Sequence, residues 1–490
     1  MSKPASEITI NKLSANLESV INELFPILRN CIKGLSKLEG MQKAGNIDCN
    51  NYNDYKRILE INSYVLYVII EVACAFHADF KSSIAIEKRI NLKYIVQIIS
   101  EFFKAVFIPL RSNKTLWNEV SVHLYSLGLD VAKFNIEESI EKYDNDYFQK
   151  DKDNRDITVH YDFDLVKLYE YLVNISEEKE ARRLCDFMAI TQPLNQLITL
   201  YSSLIIKSIQ AEDTSILLES NAEDILFKKL KEELYPQIGS SLQRFAKLLD
   251  HNMHSYCFVE KLPNNLLSIL GNSDLERIKA IHDYGKIAIL LHYIYLDLGT
   301  AIRGYLQSES YIERRWNIIR INLIIYEGWK KIYLQQSDNE KSLWEQYIYS
   351  PLSLIDDKLI KDEVDTINTL LDSYKDNKSI KDIRNSYIHL IDRKKDNLPN
   401  LLNDLITLKP YDELNKSLAF LKLLPRIIKL NMKSMQLASE AESTYNKEKL
   451  QKPFNLIKTK ISESKMSEDN KMKLLRTIED GESKIMSLIK

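Results

Sequence analysis

With 490 residues, of which 45% are hydrophobic, the chain can bury sizeable cores, and at about 150 residues per domain it has the length of roughly three. Only 11 Gly and 11 Pro are spread over that length, a scarcity of chain breakers that favours long helices over a strand-rich fold with many tight turns. A net charge of −2 and a pI near 6.5 exclude a protein that coats nucleic acid nonspecifically, so any RNA must be handled through a local basic patch. The five cysteines (Cys31, Cys49, Cys74, Cys185, Cys257) lack paired or metal-like spacing and read as buried thiols in a reducing compartment. Residues 1–7 lack an apolar signal segment, and the most apolar run, Tyr64 to Phe80, is interrupted by Glu71, His77 and Asp79. These features predict a cytoplasmic protein with no membrane span.

In chain order, Glu7 to Leu38 reads as a helix, and Gly40, Gly45 and the run Asn50 to Asn53 read as a loop. Ile58, Ile61, Val65, Val68 and Val72 then recur at alternating steps of three and four, the spacing of one helix face. Leu59, Leu66 and Ile69 make that helix apolar on more than one side, so it is expected to be central. A third helix carries Leu92, Ile95, Val96, Ile99, Phe102, Phe103 and Val106 and stops near Pro109.

The second half repeats this plan. Glu23-Leu24-Phe25-Pro26 matches Glu233-Leu234-Tyr235-Pro236 at an offset of 210, and Ile86-Glu87-Lys88-Arg89-Ile90-Asn91 matches Ile312-Glu313-Arg314-Arg315-Trp316-Asn317 at 226. Arg155-Asp156-Ile157-Thr158-Val159-His160 is echoed by Arg384-Asn385-Ser386-Tyr387-Ile388-His389 at 229, and Pro193 by Pro425 at 232. The offsets only grow along the chain, as small loop insertions in a second copy require. The expectation is a tandem duplication: all-α units over 1–214 and 215–440, followed by a tail over 441–490 dense in Lys, Glu and Ser.

The paired motifs carry the chemistry. Arginine and histidine five apart on an ideal helix sit about 140° apart, so they converge only where the arginine lies at the helix entrance. Asp156 and Asn385 are good N-cap residues for such an entrance. A guanidinium, an imidazole and free backbone N–H groups around one spot form a place for a phosphate. In RNA the 2′-hydroxyl can attack its own phosphodiester, given a proton carrier near neutral pKa and positive charge on the phosphorane; histidine and arginine supply these. No metal or other cofactor is expected. His251 and His254 lack acidic partners at ligand spacing and read as loop or core histidines, and no glycine-rich phosphate loop is present.

The Arg-(Asn/Asp)-x3-His pattern, late in an all-α unit, resembles HEPN domains, a family of small up-and-down helical bundles associated with metal-independent RNA cleavage in toxins, anti-phage systems and RNA-targeting effectors. The resemblance spans most of both repeats, with its specific signature at residues 155–160 and 384–389. It implies that Arg155, His160, Arg384 and His389 form one composite catalytic site, supported by Asp156 and Asn385, in an intramolecular pseudo-dimer. The chain departs from the family in lacking a recognisable sensor domain. It also lacks the tyrosine two positions after the histidine that some toxin members use for control: Tyr161 is adjacent, and Leu390-Ile391 follow the other motif.

Arg393-Lys394-Lys395 after the second motif is a phosphate-tracking cluster, whereas Asp151, Asp153, Asp162 and Asp164 surround the first. Glu87, Arg89 and Asn91, with their counterparts Glu313, Arg315 and Asn317, could orient catalytic groups or form structural pairs. The leading expectation is an endoribonuclease, a toxin or immune effector whose substrate is RNA. Its tail would meet an antitoxin or activating partner, and it could form a homodimer. The alternative is a non-catalytic helical protein that binds a nucleotide, RNA or a protein partner.

Overall fold

The computed structural model describes residues 5–108, 115–126, 135–150, 165–211, 221–260, 272–334, 341–375, 409–440, 447–464 and 466–488. Among these every regular element is helical. The helices are α1 (Ala5–Lys43), α2 (Cys49–Lys81), α3 (Ala85–Phe107), α4 (Leu116–Ser126), α5 (Ile136–Tyr143), α6 (Leu165–Asn174), α7 (Glu177–Ser208) and α8 (Asn221–Glu260). They continue with α9 (Asn272–Gln307), α10 (Tyr311–Tyr333), α11 (Ser350–Ser353), α12 (Lys358–Ser373), α13 (Pro410–Glu440), α14 (Lys447–Glu463) and α15 (Glu468–Leu488). Single π turns continue α5 (Asp144–Phe148) and precede α11 (Glu345–Tyr349). By packing, residues group into one unit of Met1–Gln243, Leu296–Glu327 and Asn377–Ala419, and another of Arg244–Tyr295, Gly328–Asp376 and Phe420–Lys490.

In the first unit α2 is the central helix, flanked by α1, α3, α4 and α7. Ile58, Ile61, Val65, Val68 and Val72 are all buried, each contributing about 1.5–3 kcal/mol by leaving water. The run Asn50 to Asn53, expected as a loop, is instead the first turn of α2. The Asp48 carboxylate caps it, accepting hydrogen bonds from the Asn50 and Asn51 amides at 3.0 and 2.9 Å. Cys49 and Cys185 are exposed, against the expectation of buried thiols, because one opens α2 and the other lies on the outer side of α7; Cys31 and Cys74 are buried.

By length and mean hydropathy (1.7 and 1.2), α2 and the stretch His282–Gln307 would each suffice to cross a membrane, but 83% of each apolar window is buried in the protein. Within α2, Glu71 and His77 accept burial because partners satisfy them: the Tyr94 hydroxyl donates to Glu71 at 2.6 Å, and His77 meets Glu313.

The hairpin α2–α3 and the segment Leu296–Glu327 meet within this unit at matched positions. Helix α2 ends at Lys81 and α9 at Gln307, 226 residues later; α3 spans Ala85–Phe107 and α10 spans Tyr311–Tyr333, again 226 apart. Their contacts cross reciprocally. His77 pairs with Glu313 at 2.6 Å, and Arg303 with Glu87 at 2.9 Å, the two basic residues and the two glutamates each being 226 apart. At the centre, residues 226 apart meet each other. Lys81 Nζ donates to the Gln307 carbonyl at 3.2 Å, and Gln307 Nε2 donates to the Lys81 carbonyl at 2.9 Å. A Cβ at Gly304 would lie 3.4 Å from that of Ala78. Around this crossing, Lys93 pairs with Asp297 at 2.6 Å, and Arg320 donates to Asn91 at 2.8 Å while lying over the Tyr94 ring.

Two further positions match at an offset of 227. Thr115 and Ser342 each accept a hydrogen bond from the amide three residues on (Asn118, 2.9 Å; Glu345, 3.1 Å), and Trp117 and Trp344 behind them are both buried.

In the second unit the indoles fix the helices by hydrogen bonds as well as by burial. Trp329 donates to the Leu371 carbonyl and Trp344 to Asn368, each at 2.9 Å. Arg426 of α13 makes a two-pronged ion pair with Glu363 of α12 at 2.7 and 2.8 Å. Helices α14 and α15 form a hairpin with its own small core of Ile457, Ile461 and Ile478, backed by Phe454, Leu474 and Leu475.

Candidate functional site

Arg155, Asp156, His160, Arg384, Asn385 and His389 lie outside the described residues, as do Arg393, Lys394 and Lys395. The elements that lead into and out of those segments are described, and their side chains show how the flanks are held.

The first motif follows α5 and its π turn and precedes α6. Asn135, with φ +50° just before α5, takes the left-handed conformation that asparagine tolerates better than most residues. Tyr143 and Phe148 then pack on the Phe103 ring, with centroids 4.9 and 5.1 Å away. Helix α7 supplies the polar partners. Asp186 accepts from Lys142 at 2.6 Å and from the Tyr147 hydroxyl at 2.8 Å. Burial pushes the Asp186 carboxyl up, yet these two donors hold it below the usual carboxylate range.

One turn earlier, Glu180 and Arg183 meet at 3.1 Å, both almost fully buried. Burial pushes the Glu180 carboxyl up to about 7, with Lys179 offsetting only part of the effect, and burial lowers the Arg183 guanidinium. Glu180 Oε2 makes a charge contact rather than a directed hydrogen bond, and the buried Tyr171 hydroxyl has no hydrogen-bond partner among the described residues. With 2–4% exposure at the pair, this cluster anchors the flanks and does not offer an acid or base to solvent.

The second motif follows α12 and precedes α13. Helix α12 starts at an Asp357 cap that accepts from the Leu359 and Ile360 amides, and Tyr374 just past its end packs edge-on against Phe420 at 5.2 Å. Glu413, near the start of α13, accepts from Asn322 at 3.3 Å and from Lys416 at 2.6 Å.

A third polar cluster surrounds the helix crossing, a feature that local spacing does not announce. Glu87 and Glu313 pair with Arg303 and His77 rather than with Arg89 and Arg315, and Arg315 instead lies over the ring of Tyr311 on its own helix. Ser82 donates to Glu87 at 2.6 Å, Arg303 lies 3.9 Å from the Tyr235 ring centre, and Asn317 donates to Ser308 at 3.0 Å. At its edge Lys81 bonds Glu309, and Glu309 in turn bonds Glu18. Burial and that bond raise the Glu18 carboxyl, whereas Lys81 holds Glu309 down against burial, so Glu18 is the one that keeps a proton longer. Glu87, Asn91, Glu313 and Asn317 all take partners inside this cluster.

His251 and His254 are exposed on helix α8, neither in a loop nor in a core, with His254 bonded to the Asp250 carbonyl of its own helix. No group of three or more His, Cys, Asp or Glu side chains among the described residues could hold a metal ion. The crossing was legible only in part, through the repeated Glu87 and Glu313. The signal for the rest is the same 226-residue spacing extended backwards, since His77 and Arg303 share it too. No protein-family model, no curated protein and no solved structure matches the chain.

Proposed function

We propose that the chain is a metal-independent endoribonuclease built from two HEPN-like repeats that pair as an intramolecular pseudo-dimer. The observation that carries the reading is the reciprocal crossing of α2–α3 with the segment Leu296–Glu327. Contacts of residue i with j′ and i′ with j, and of two positions with their own counterparts, have the pattern of a two-fold interface. Sequence offsets of 226 at this crossing and 229 between the Arg-x4-His motifs support the reading that the motifs are equivalent points of two repeats. In this reading Arg155 and Arg384 bind and neutralise the scissile phosphate. His160 and His389 move protons between the attacking 2′-hydroxyl and the leaving 5′-oxygen, Asp156 and Asn385 cap the motif helices, and Arg393, Lys394 and Lys395 track the backbone. The protein acts as a toxin or immune effector, and the α14–α15 hairpin, with a core of its own, meets a regulatory partner.

The test is cleavage of total cellular RNA in EDTA by the purified chain, beside the His160→Ala/His389→Ala variant. Cleavage by the wild type alone, leaving 2′,3′-cyclic phosphate and 5′-hydroxyl ends, supports the reading. Equal cleavage by both proteins, or cutting at a deoxyribose position, refutes it.

A further inference from the structure

A net charge of −2 leaves any nucleic acid to be met by a local concentration of positive charge, and α13 carries one. Between Glu413 and Glu440 it has Lys416, Lys422, Arg426, Lys429 and Lys433 and neither Asp nor Glu, in a chain with 67 basic and 69 acidic residues. At about 100° per residue the last four fall within an arc of about 60°, in one line about 16 Å long. Burial follows the same division. Leu423, Leu424, Ile427, Ile428 and Leu430 are buried on the opposite side, whereas Lys422 and Lys429 are exposed and Arg426 and Lys433 half-buried. Packing alone does not require the charges: α7, with Pro193 at the offset that relates it to Pro425, has no Asp, Glu, Lys or Arg from Phe187 to Ile206.

The line already holds one anion. Arg426 Nε and Nη2 donate to the two carboxylate oxygens of Glu363 on α12 at 2.7 and 2.8 Å, the fork geometry that a phosphate also takes. Lys429 attracts the same carboxylate. Both side chains of the fork are more than a third exposed, so a phosphate can reach the guanidinium from solvent and exchange with Glu363. Among the described residues Lys422 makes no ion pair or hydrogen bond, and Lys433 donates to Gln436 at 3.3 Å. We infer that this line of four binds the phosphate backbone of a nucleic-acid strand, with Glu363 occupying the phosphate position at Arg426 until the strand displaces it. A charged polymer meets all four cations at once and releases a counterion at each, where a small anion meets one or two. Insertion into a lipid surface needs an apolar face turned outward, and that of α13 is already filled. No aromatic residue lies between Lys422 and Lys433, so bases gain no stacking platform and the contact does not read sequence. In the nuclease reading the strand is the RNA substrate, but binding here does not depend on its being cut.

Fluorescence anisotropy of the full chain with a labelled oligoribonucleotide methylated at every 2′-oxygen, which cannot be cleaved through that oxygen, separates this binding from catalysis. Lys422→Glu/Lys429→Glu should weaken binding by about tenfold or more, with circular dichroism and thermal midpoint unchanged. The milder Lys422→Gln/Lys429→Gln should flatten the slope of log affinity against log salt by about 1.4, at about 0.7 per lost phosphate contact. Glu363→Gln, which frees Arg426, should tighten binding by about threefold or more. Lys43→Glu/Lys341→Glu, the same change in net charge at exposed positions outside α12 and α13, should change it by less than about twofold. A chain that does not bind the oligonucleotide, binding unmoved by both lysine pairs, weaker binding by Glu363→Gln, or capture of this line by phosphatidylserine vesicles or poly-glutamate in place of the oligonucleotide would overturn the inference. Absent binding beside cleavage that depends on His160 and His389 would reject the line and leave the nuclease reading standing.

Discussion

Replacing Arg303 by methionine removes the guanidinium that pairs with Glu87 at 2.9 Å and lies over Tyr235, while keeping most of the apolar stem. Both partners are nearly inaccessible, at 4% and 3% of the side chain, so the carboxylate cannot turn to water for a replacement. Removing one member of such a buried pair costs about 3–5 kcal/mol, most of it from the charge left behind. The double variant Arg303→Met/Glu87→Leu leaves no orphan charge and should cost far less, so a double-mutant cycle should show a coupling of at least about 2 kcal/mol. The pH dependence has a definite sign. Burial already raises the Glu87 carboxyl, while Ser82 and Arg303 pull it back. Without Arg303 it rises further. A raised carboxyl gives stability that is present below the unfolded value and lost as pH climbs through the folded one, so the single variant should be least impaired near pH 4 and most impaired at pH 8. Urea unfolding with hydrogen exchange read on peptides of α3 and α10 isolates this unit. A single-variant loss below 1 kcal/mol, or strictly additive singles, would refute the reasoning.

Glu180→Gln should flatten the decline in stability between about pH 4.5 and 7, against a pH-independent cost from removing the carboxylate that lies 3.1 Å from the buried Arg183 guanidinium. The native carboxyl is pushed up to about 7 and is charged at a cost above that range; pH titration of the thermal midpoint checks it. Gly304→Leu should cost about 1–3 kcal/mol, because a Cβ there already lies 3.1 Å from Asn317 Oδ1 and 3.4 Å from Ala78, whereas Gly40→Ala, inside α1 with nothing within 4 Å, should stabilise by up to about 1 kcal/mol in the same unfolding assay. Arg426→Met breaks a two-pronged pair with Glu363, but both side chains are more than a third exposed, so the loss should be only about 0.2–1 kcal/mol and should shrink further in 1 M salt.

How far the sequence could be read depended on whether the governing interaction was local. The apolar positions of α2 and α3 recur at helical spacing, and nearly every one named from that spacing is buried. The start of α2 was misplaced because composition alone makes an asparagine run look like a loop. What decides it is one aspartate ahead of the run, whose carboxylate satisfies two amides of the first turn. The partners of Glu87 and Glu313 were invisible for a different reason. Arg89 and Arg315 stand two positions away in sequence, yet on a helix such neighbours point to different sides, and the real partners lie over 200 residues distant.

Two connections of only three residues each, 82–84 and 308–310, join α2 to α3 and α9 to α10. Surface connections ordinarily absorb insertions and deletions freely. Here each turn opens on a buried, bonded serine: Ser82 donates to Glu87 at 2.6 Å, and Ser308 accepts from Asn317 at 3.0 Å. An added residue would have to break one of these bonds or displace the start of the helix that follows. Length at these two turns is therefore far less free to drift than residue identity, and proteins related to this one should vary in the composition of these loops while keeping three residues in each.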